Sequence, residues 1–239
     1  MKLRLPLPAR RPNLDRAAAA YARAPAPRGR TPWREAPWCA LDLEMTGLDP
    51  REDEIISFGA IPIEDGRLQL HAAVTGLARP SRQIREASIP VHGIRDVDLA
   101  SAPPLAAGVG PLLEAIAGRV PVLHSAEIDR PFLRQALRAK GVRLRNPFVD
   151  TEVLGRLWLH ERDGHLHRGL SLGELASALG LPAERPHTSL GDALTTAQVF
   201  IALATHLNAM HPETVSSLVH ASNRVDAVRM FQDPLPHGG

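Results

Sequence analysis

ALDLEMTGLD, residues 40–49, sets two carboxylates inside an otherwise hydrophobic run, and its reading decides that of the whole chain. As a strand it alternates faces with a period of two, so Asp42 and Glu44 point one way while Leu41, Leu43 and Met45 point the other. Neighbouring carboxylates on a buried or half-buried strand repel each other and lose hydration, which demands a raised pKa or a counter-charge. A divalent cation is the simplest counter-charge, and oxygen-only ligands favour a hard ion such as Mg2+ or Mn2+. An exposed edge strand with a solvated acidic face explains the same residues without any ion.

Outward from this strand the pattern alternates. The strand starts at Trp38 and leaves through Thr46-Gly47, where glycine allows a sharp exit. Ile55–Ile63 and Arg67–Leu77, joined by the turn signal Glu64-Asp65-Gly66, read as two more strands of an antiparallel meander. Residues 78–104 read as loop. Then come a helix over Pro111–Ala117, a strand at Val120–Leu123, a helix from the first residues after it to Gly141, a short strand at Phe148–Asp150 and a helix over Thr151–Leu159. Ser171 with Glu174 forms a capping box for the next helix. The strongest helix runs from about Ser189 to Met210 on an apolar stripe of Leu190, Leu194, Ala197, Phe200, Ile201 and Ala204. Another helix begins near Pro212. A meander followed by alternating helices and strands argues an α/β fold with a mixed sheet.

A chain of 239 residues has room for one large α/β domain with appendages. Residues 1–38 carry nine Lys/Arg against two Asp/Glu, a balance of +7, whereas residues 39–239 carry 19 against 24, a balance of −5. The expected organisation is therefore a basic Pro/Arg/Ala-rich arm over 1–36, a body over 37–210, and a C-terminal helix and tail over 211–239. Such an arm fits either a phosphate-backbone contact or solvated disorder. The single cysteine, Cys39, forbids an internal disulfide and fits a reducing compartment. No signal peptide or membrane-length apolar run is evident, so a cytoplasmic location is expected. His160, His165 and His167 suggest zinc at first sight, but no cysteine joins them and a polar loop accounts for them better.

Further acidic and histidine positions ask for the same explanation as the opening strand. Asp129 starts a helix just after a strand end, where α/β folds gather functional groups, and His187 and Asp192 bracket the start of the long helix. Taken singly, Asp129 and Asp192 are more often helix N-terminal charges favoured by the macrodipole, and His187 an ordinary surface histidine.

Together they resemble the DEDD-type 3′-to-5′ exonucleases, the family that includes the proofreading epsilon subunit of bacterial DNA polymerase III. The first family motif, D-x-E-x-T-G, stands here as Asp42, Glu44, Thr46 and Gly47. The second is matched by His124, Ala126, Asp129, Phe132 and Leu133, and the third by His187, Leu190, Asp192, Ala193, Thr196 and Ala197. Val91–Ile94 and Asp150-Thr151 are further landmarks in the family order. Ser125, Ile128 and Ser189 depart from the usual Asn, Phe and Ala. The sole tyrosine, Tyr21, lies in the arm, so the histidine variant of the family is the one resembled.

The resemblance implies a ribonuclease H-like mixed five-stranded sheet with flanking helices. It implies that Asp42, Glu44, Asp129 and Asp192 hold two divalent cations, Mg2+ or Mn2+, that His187 is the general base, and that Thr46, Gly47, Leu48, His92 and Ser125 meet the terminal nucleotide. The expected activity is metal-dependent hydrolysis at a 3′ end, single-stranded DNA first, releasing nucleoside 5′-monophosphates in proofreading or repair. Alternatives are an RNA-directed exonuclease of the RNase T or oligoribonuclease kind, and a non-catalytic nucleic-acid-binding subunit of a polymerase. A polymerase or sliding-clamp partner has only the faint tail signal of Gln232 and Leu235.

Overall fold

A computed structural model describes residues 15–164, 169–182 and 187–223. The expected loop histidines His165 and His167, the tail residues Gln232 and Leu235, and the first fourteen residues of the expected arm lie outside the described residues. In chain order the helices are α1 (Arg16–Arg23), α2 (Ile89–His92), α3 (Asp96–Leu99), α4 (Leu105–Gly108), α5 (Gly110–Ile116), α6 (Ala126–Ala139), α7 (Thr151–Asp163), α8 (Leu172–Ala178), α9 (Ser189–Met210) and α10 (Val215–Ser222). The strands are β1 (Trp38–Met45), β2 (Ile55–Glu64), β3 (Arg67–Leu68), β4 (Val74–Leu77), β5 (Val120–Leu123) and β6 (Val149–Asp150).

These strands form one mixed sheet in the order β3-β2-β1-β5-β6, with β4 also paired to β2. β1 is antiparallel to β2 and parallel to β5, and so lies at the centre. The edge-strand explanation of the acidic run is thereby removed. Six strands stand where five are expected, because the run Arg67–Leu77 is broken by a 3-10 turn at Leu70–Ala72 into two short strands on the same partner. The segment 78–104, expected as loop, holds α2 and α3, each only four residues long and too short to show a helical period in sequence.

The period of two in β1 sorts the core into two layers. Leu41, Leu43 and Met45 pack with Tyr21 of α1, Leu112 and Leu113 of α5, and Phe132, Leu133 and Leu137 of α6. Trp38 and Ala40, whose parity is that of Asp42 and Glu44, pack with Phe200, Leu203 and Ala204 of α9, Leu154 of α7 and Leu175 of α8. The acids therefore share a face with α9. Within its stripe Ala197, Phe200 and Ala204 are buried, while Leu190 is 36% exposed at the helix head.

Residues 15–36 are packed on the body and are not a free arm. Asp15 caps α1, whose Tyr21 is buried and donates its hydroxyl hydrogen to Asn146 Oδ1. Trp33 is 1% exposed and meets Phe200 edge-on, with ring centroids 6.2 Å apart, while Trp38 lies 4.7 Å from the same ring. Aromatic pairs of this kind add about 0.5–1.5 kcal/mol each beyond their burial. The backbone N–H of Trp33 donates to Glu213 O and that of Val215 to Thr31 O, so this segment also straps the start of α10. A low aromatic content hides that two of the three tryptophans clamp this join. Among the described residues no helix is long and apolar enough to cross a membrane.

Candidate active site

The acidic site is built where three elements end. Asp42 and Glu44 occupy the last half of β1, opposite Gly59 and Ser57 of β2. Asp192 lies in the first turn of α9, and Ser189 in the same turn shares a 2.7 Å hydrogen bond with Ser57 through their hydroxyls. This bond gives the departure at Ser189 a physical role: it pins the helix head to the strand beside the acids. One carboxylate oxygen each of Asp42, Glu44 and Asp192 lie within 4.8 Å of one another.

Asp129 stands outside that triad but inside its field. It is buried in the first turn of α6. Burial, then the charge of Glu44, then that of Asp150 push its pKa up to about 8. Glu44 is raised to about 7 by burial and by Asp192. Asp42 is held well above the usual carboxylate range by burial and then by Asp129, Glu44 and Asp192, so it alone feels all three of the others. Asp192 is raised by burial, opposed by the His187 N–H and by the charges of His187 and His124. Among the described residues no Lys or Arg forms an ion pair with any of the four. Four oxygen donors whose ionisation burial disfavours, and in three of which a neighbouring carboxylate adds to it, fit hard divalent cations, which would supply the missing positive charge.

The expected neighbours divide into those at the acids and those committed elsewhere. His187 is exposed, in the left-handed region at φ 63°, and donates its N–H to Asp192 Oδ2 at 2.8 Å. Leu48 is 74% exposed beyond the end of β1. His92 is buried at the end of α2; its Nδ1 accepts from the Ile94 N–H at 3.0 Å, which leaves Nε2 to carry the ring proton. Burial lowers the His92 pKa, against a carbonyl of Met45. Thr46, by contrast, gives its hydroxyl hydrogen to Asp53 Oδ1 at 3.0 Å and accepts from the Glu54 N–H. A Cβ on Gly47 would stand 2.5 Å from Asp53 Oδ2, so the Thr-Gly pair is needed to seat Asp53. Arg85 completes that knot with a 2.8 Å ion pair to Asp53.

Ser125 likewise turns away from the acids. Its hydroxyl donates to Glu152 Oε2 at 2.8 Å, and its φ of 58° is one that Asn tolerates better than Ser. The residue that holds this corner is Asp150, which the sequence marks only as a family landmark. Its carboxylate accepts the N–H groups of Ser125 (3.1 Å), Ala126 (2.7 Å) and Glu152 (2.9 Å), and thereby caps α6 and α7 together. His124 is fixed by Thr151 Oγ1 at 3.0 Å and Leu170 O at 2.8 Å, and its charge favours the ionised forms of Asp150 and Asp192. Tyr21 is committed to Asn146 and Arg145, in the layer opposite the acids.

Comparison with known proteins agrees with this architecture. A DNA polymerase III subunit epsilon-like protein of Rhodobacter capsulatus is 37% identical over 183 residues, 75% of this chain but 25% of the relative, so the chain spans about a quarter of that protein. The DNA polymerase III subunit epsilon of Aquifex aeolicus is 29% identical over 70% of this chain and 80% of its own length. The structure of E. coli Exonuclease I in complex with a dA16 oligonucleotide shares the fold, with a TM-score of 0.64 at 15% identity over 73% of this chain and 42% of that one. The family model described as "Exonuclease" matches residues 39–200, from the start of the acidic strand to the middle of α9, and on that match this chain belongs to the exonuclease family.

Proposed function

We propose that the protein is a divalent-cation-dependent 3′-to-5′ exonuclease acting on single-stranded DNA ends. The observation that carries this reading is the convergence of Asp42, Glu44 and Asp192 within 4.8 Å, inside the field of Asp129 and without a cationic side chain paired to them among the described residues. The polymerase epsilon names of the relatives favour DNA over RNA as substrate.

Asp42, Glu44, Asp129 and Asp192 would hold two Mg2+ or Mn2+ ions, and Asp42 is the carboxylate whose ionisation each of the other three opposes. When bound, such ions neutralise the phosphodiester, acidify a water and stabilise the departing oxygen. Water attacks phosphorus in line, the bond from phosphorus to the 3′-oxygen of the preceding nucleotide breaks, that oxygen takes a proton from solvent, and a nucleoside 5′-monophosphate leaves. His187 takes the proton of the attacking water on a ring nitrogen, since imidazole is the base suited to neutral pH. The N–H bond from His187 to Asp192 keeps that base beside the acids while leaving its ring free to move. Gly47 and the exposed Leu48 support the terminal nucleotide, and His92, beside the Met45 carbonyl at the end of β1, lies against it. A frayed end suits such a site because a paired terminus must first be melted.

The test uses matched DNA and RNA oligonucleotides labelled at either end, with the wild type beside Asp42→Ala. A 3′ label released as mononucleotide while a 5′ label gives a descending ladder, faster on DNA and abolished by the substitution, is the expected result. Internal cuts, release from the 5′ end or an active variant would refute the reading.

A further inference from the structure

The sixteen residues from Arg130 to Arg145 carry six cations, Arg130, Arg134, Arg138, Lys140, Arg143 and Arg145, and no carboxylate, on a body whose balance is −5. Two of these have evident structural duties: Lys140 pairs with Asp15, and Arg145 donates to the Ala22 carbonyl at 2.7 Å. Of the other four, Arg130 has an aromatic partner within the fold. Arg130 lies over the Phe148 ring at 4.2 Å, and Arg134, Arg138 and Arg143 line an open cleft with Gly141, Val142 and Leu144 at the far end of α6. Among the described residues none of Arg134, Arg138 and Arg143 forms an ion pair.

Arg130, Arg134 and Arg138 recur every fourth residue and so form one ridge about 12 Å long on α6. Glu127 marks the acidic start of that flank, and the positive run begins one turn later. Like charges four apart destabilise a helix. Arg134 and Arg138 therefore repel each other with no ion pair among the described residues to offset it, which points outward to a polyanion.

We infer that Arg130, Arg134, Arg138 and Arg143 bind the phosphate backbone of the substrate strand beyond the nucleotides held at the acidic site. This rests on the exonuclease reading and extends it. Arg130 follows Asp129 in the chain, so the ridge begins near the end of α6 that carries Asp129 and runs along the helix away from that end. At its far end Lys140 pairs with Asp15, the residue next in the chain to the segment 1–14, which carries Lys2, Arg4, Arg10 and Arg11 and no Asp or Glu. The ridge thus ends where a sequence of the same sign joins the body. Positive grooves of this kind track single strands over several nucleotides.

The test measures binding of fluorescent 4-mer and 20-mer DNA across a salt series, with Ca2+ in place of Mg2+ to prevent turnover. The full chain is compared with R134Q/R138Q/R143Q and R134K/R138K/R143K, each checked for a melting temperature no lower than that of the wild type. The expected result is that the Gln variant loses about tenfold or more in 20-mer affinity and that its slope of log K against log salt falls by about two, at roughly 0.7 per phosphate contact. Its preference for the 20-mer over the 4-mer shrinks, and the Lys variant retains both. A Gln variant with unchanged slope and length preference, in a wild type that degrades 3′ ends, overturns the ridge alone. A ridge-dependent slope in a protein that hydrolyses nothing with Mg2+ or Mn2+ supports the ridge and overturns the activity reading instead.

Discussion

Gly59 on β2 and Ser189 at the head of α9 approach so closely that a Cβ on Gly59 would lie 2.2 Å from the Ser189 carbonyl oxygen. Gly59 is also the residue paired across the sheet with Asp42. The missing side chain thus lets α9 settle on the sheet beside the first acid and carries Asp192 to it. Asp42 and Asp192, far apart in the chain, meet because a strand residue has no Cβ. Gly59→Ala is expected to push the helix head away, costing about 1–3 kcal/mol in overpacking. Because a small misplacement of reacting groups is amplified in rate, metal-supported turnover should fall by about tenfold or more. Urea melts and initial rates check both, and wild-type values in each would contradict this role for Gly59.

Asp150 should matter to activity without touching substrate. It accepts three backbone N–H groups at the starts of α6 and α7 and so holds the turn that presents Asp129. Asp150→Ala strands those donors and is expected to cost about 2–4 kcal/mol. Asp150→Asn, which keeps an acceptor oxygen, should lose less. If Asp150 acts through Asp129, kcat falls more than KM rises and higher Mn2+ recovers part of it; an equal loss at every metal concentration would indicate instability alone.

The raised carboxylates fix the sign of this site's contribution to the pH dependence of the metal-free protein. Glu44 near 7 and Asp129 near 8 retain protons in the folded chain that they release near pH 4 when unfolded. Between those limits the unfolded state binds fewer protons, so the contribution of these two groups to stability is full below about pH 4 and falls as pH rises to about 8. Divalent cations bind the ionised forms and reverse the loss. In EDTA the melting temperature contributed by this site should therefore drop from pH 5.5 to 8. Mn2+ should raise it by about 5 °C or more at pH 8 and less at pH 5.5. Equal stabilisation at both values would count against a carboxylate cation site.

Much of the fold and of the acidic site is legible in the sequence alone, for reasons particular residues make clear. The alternation of Asp42 and Glu44 with Leu41, Leu43 and Met45 determines which face of β1 meets α9, since a period of two leaves no freedom. Ser171 with Glu174 and the Ser189–Met210 stripe mark their helices because capping and a period of 3.6 are local properties. Hidden are the contacts that need the third dimension. Nothing in the sequence pairs Ser57 with Ser189, turns Thr46 and Ser125 away from the cleft, or folds Tyr21 and Trp33 of the expected arm onto the body. Composition misleads there: proline and arginine suggest an unpacked arm, while the two aromatic anchors, Tyr21 and Trp33, decide otherwise only through the distant partners Asn146 and Phe200.

Whether the four carboxylates act through divalent cations is tested most directly by one titration. Protein stripped with EDTA is supplied with increasing Mn2+, and release of the 3′-terminal nucleotide from a single-stranded DNA is followed for the wild type and Asp42→Asn. The predicted result is no turnover without metal, a saturable rise in the wild type, and a loss of at least about a hundredfold in the variant. Turnover in EDTA, or a variant that matches the wild type across the titration, would contradict a metal site built on Asp42.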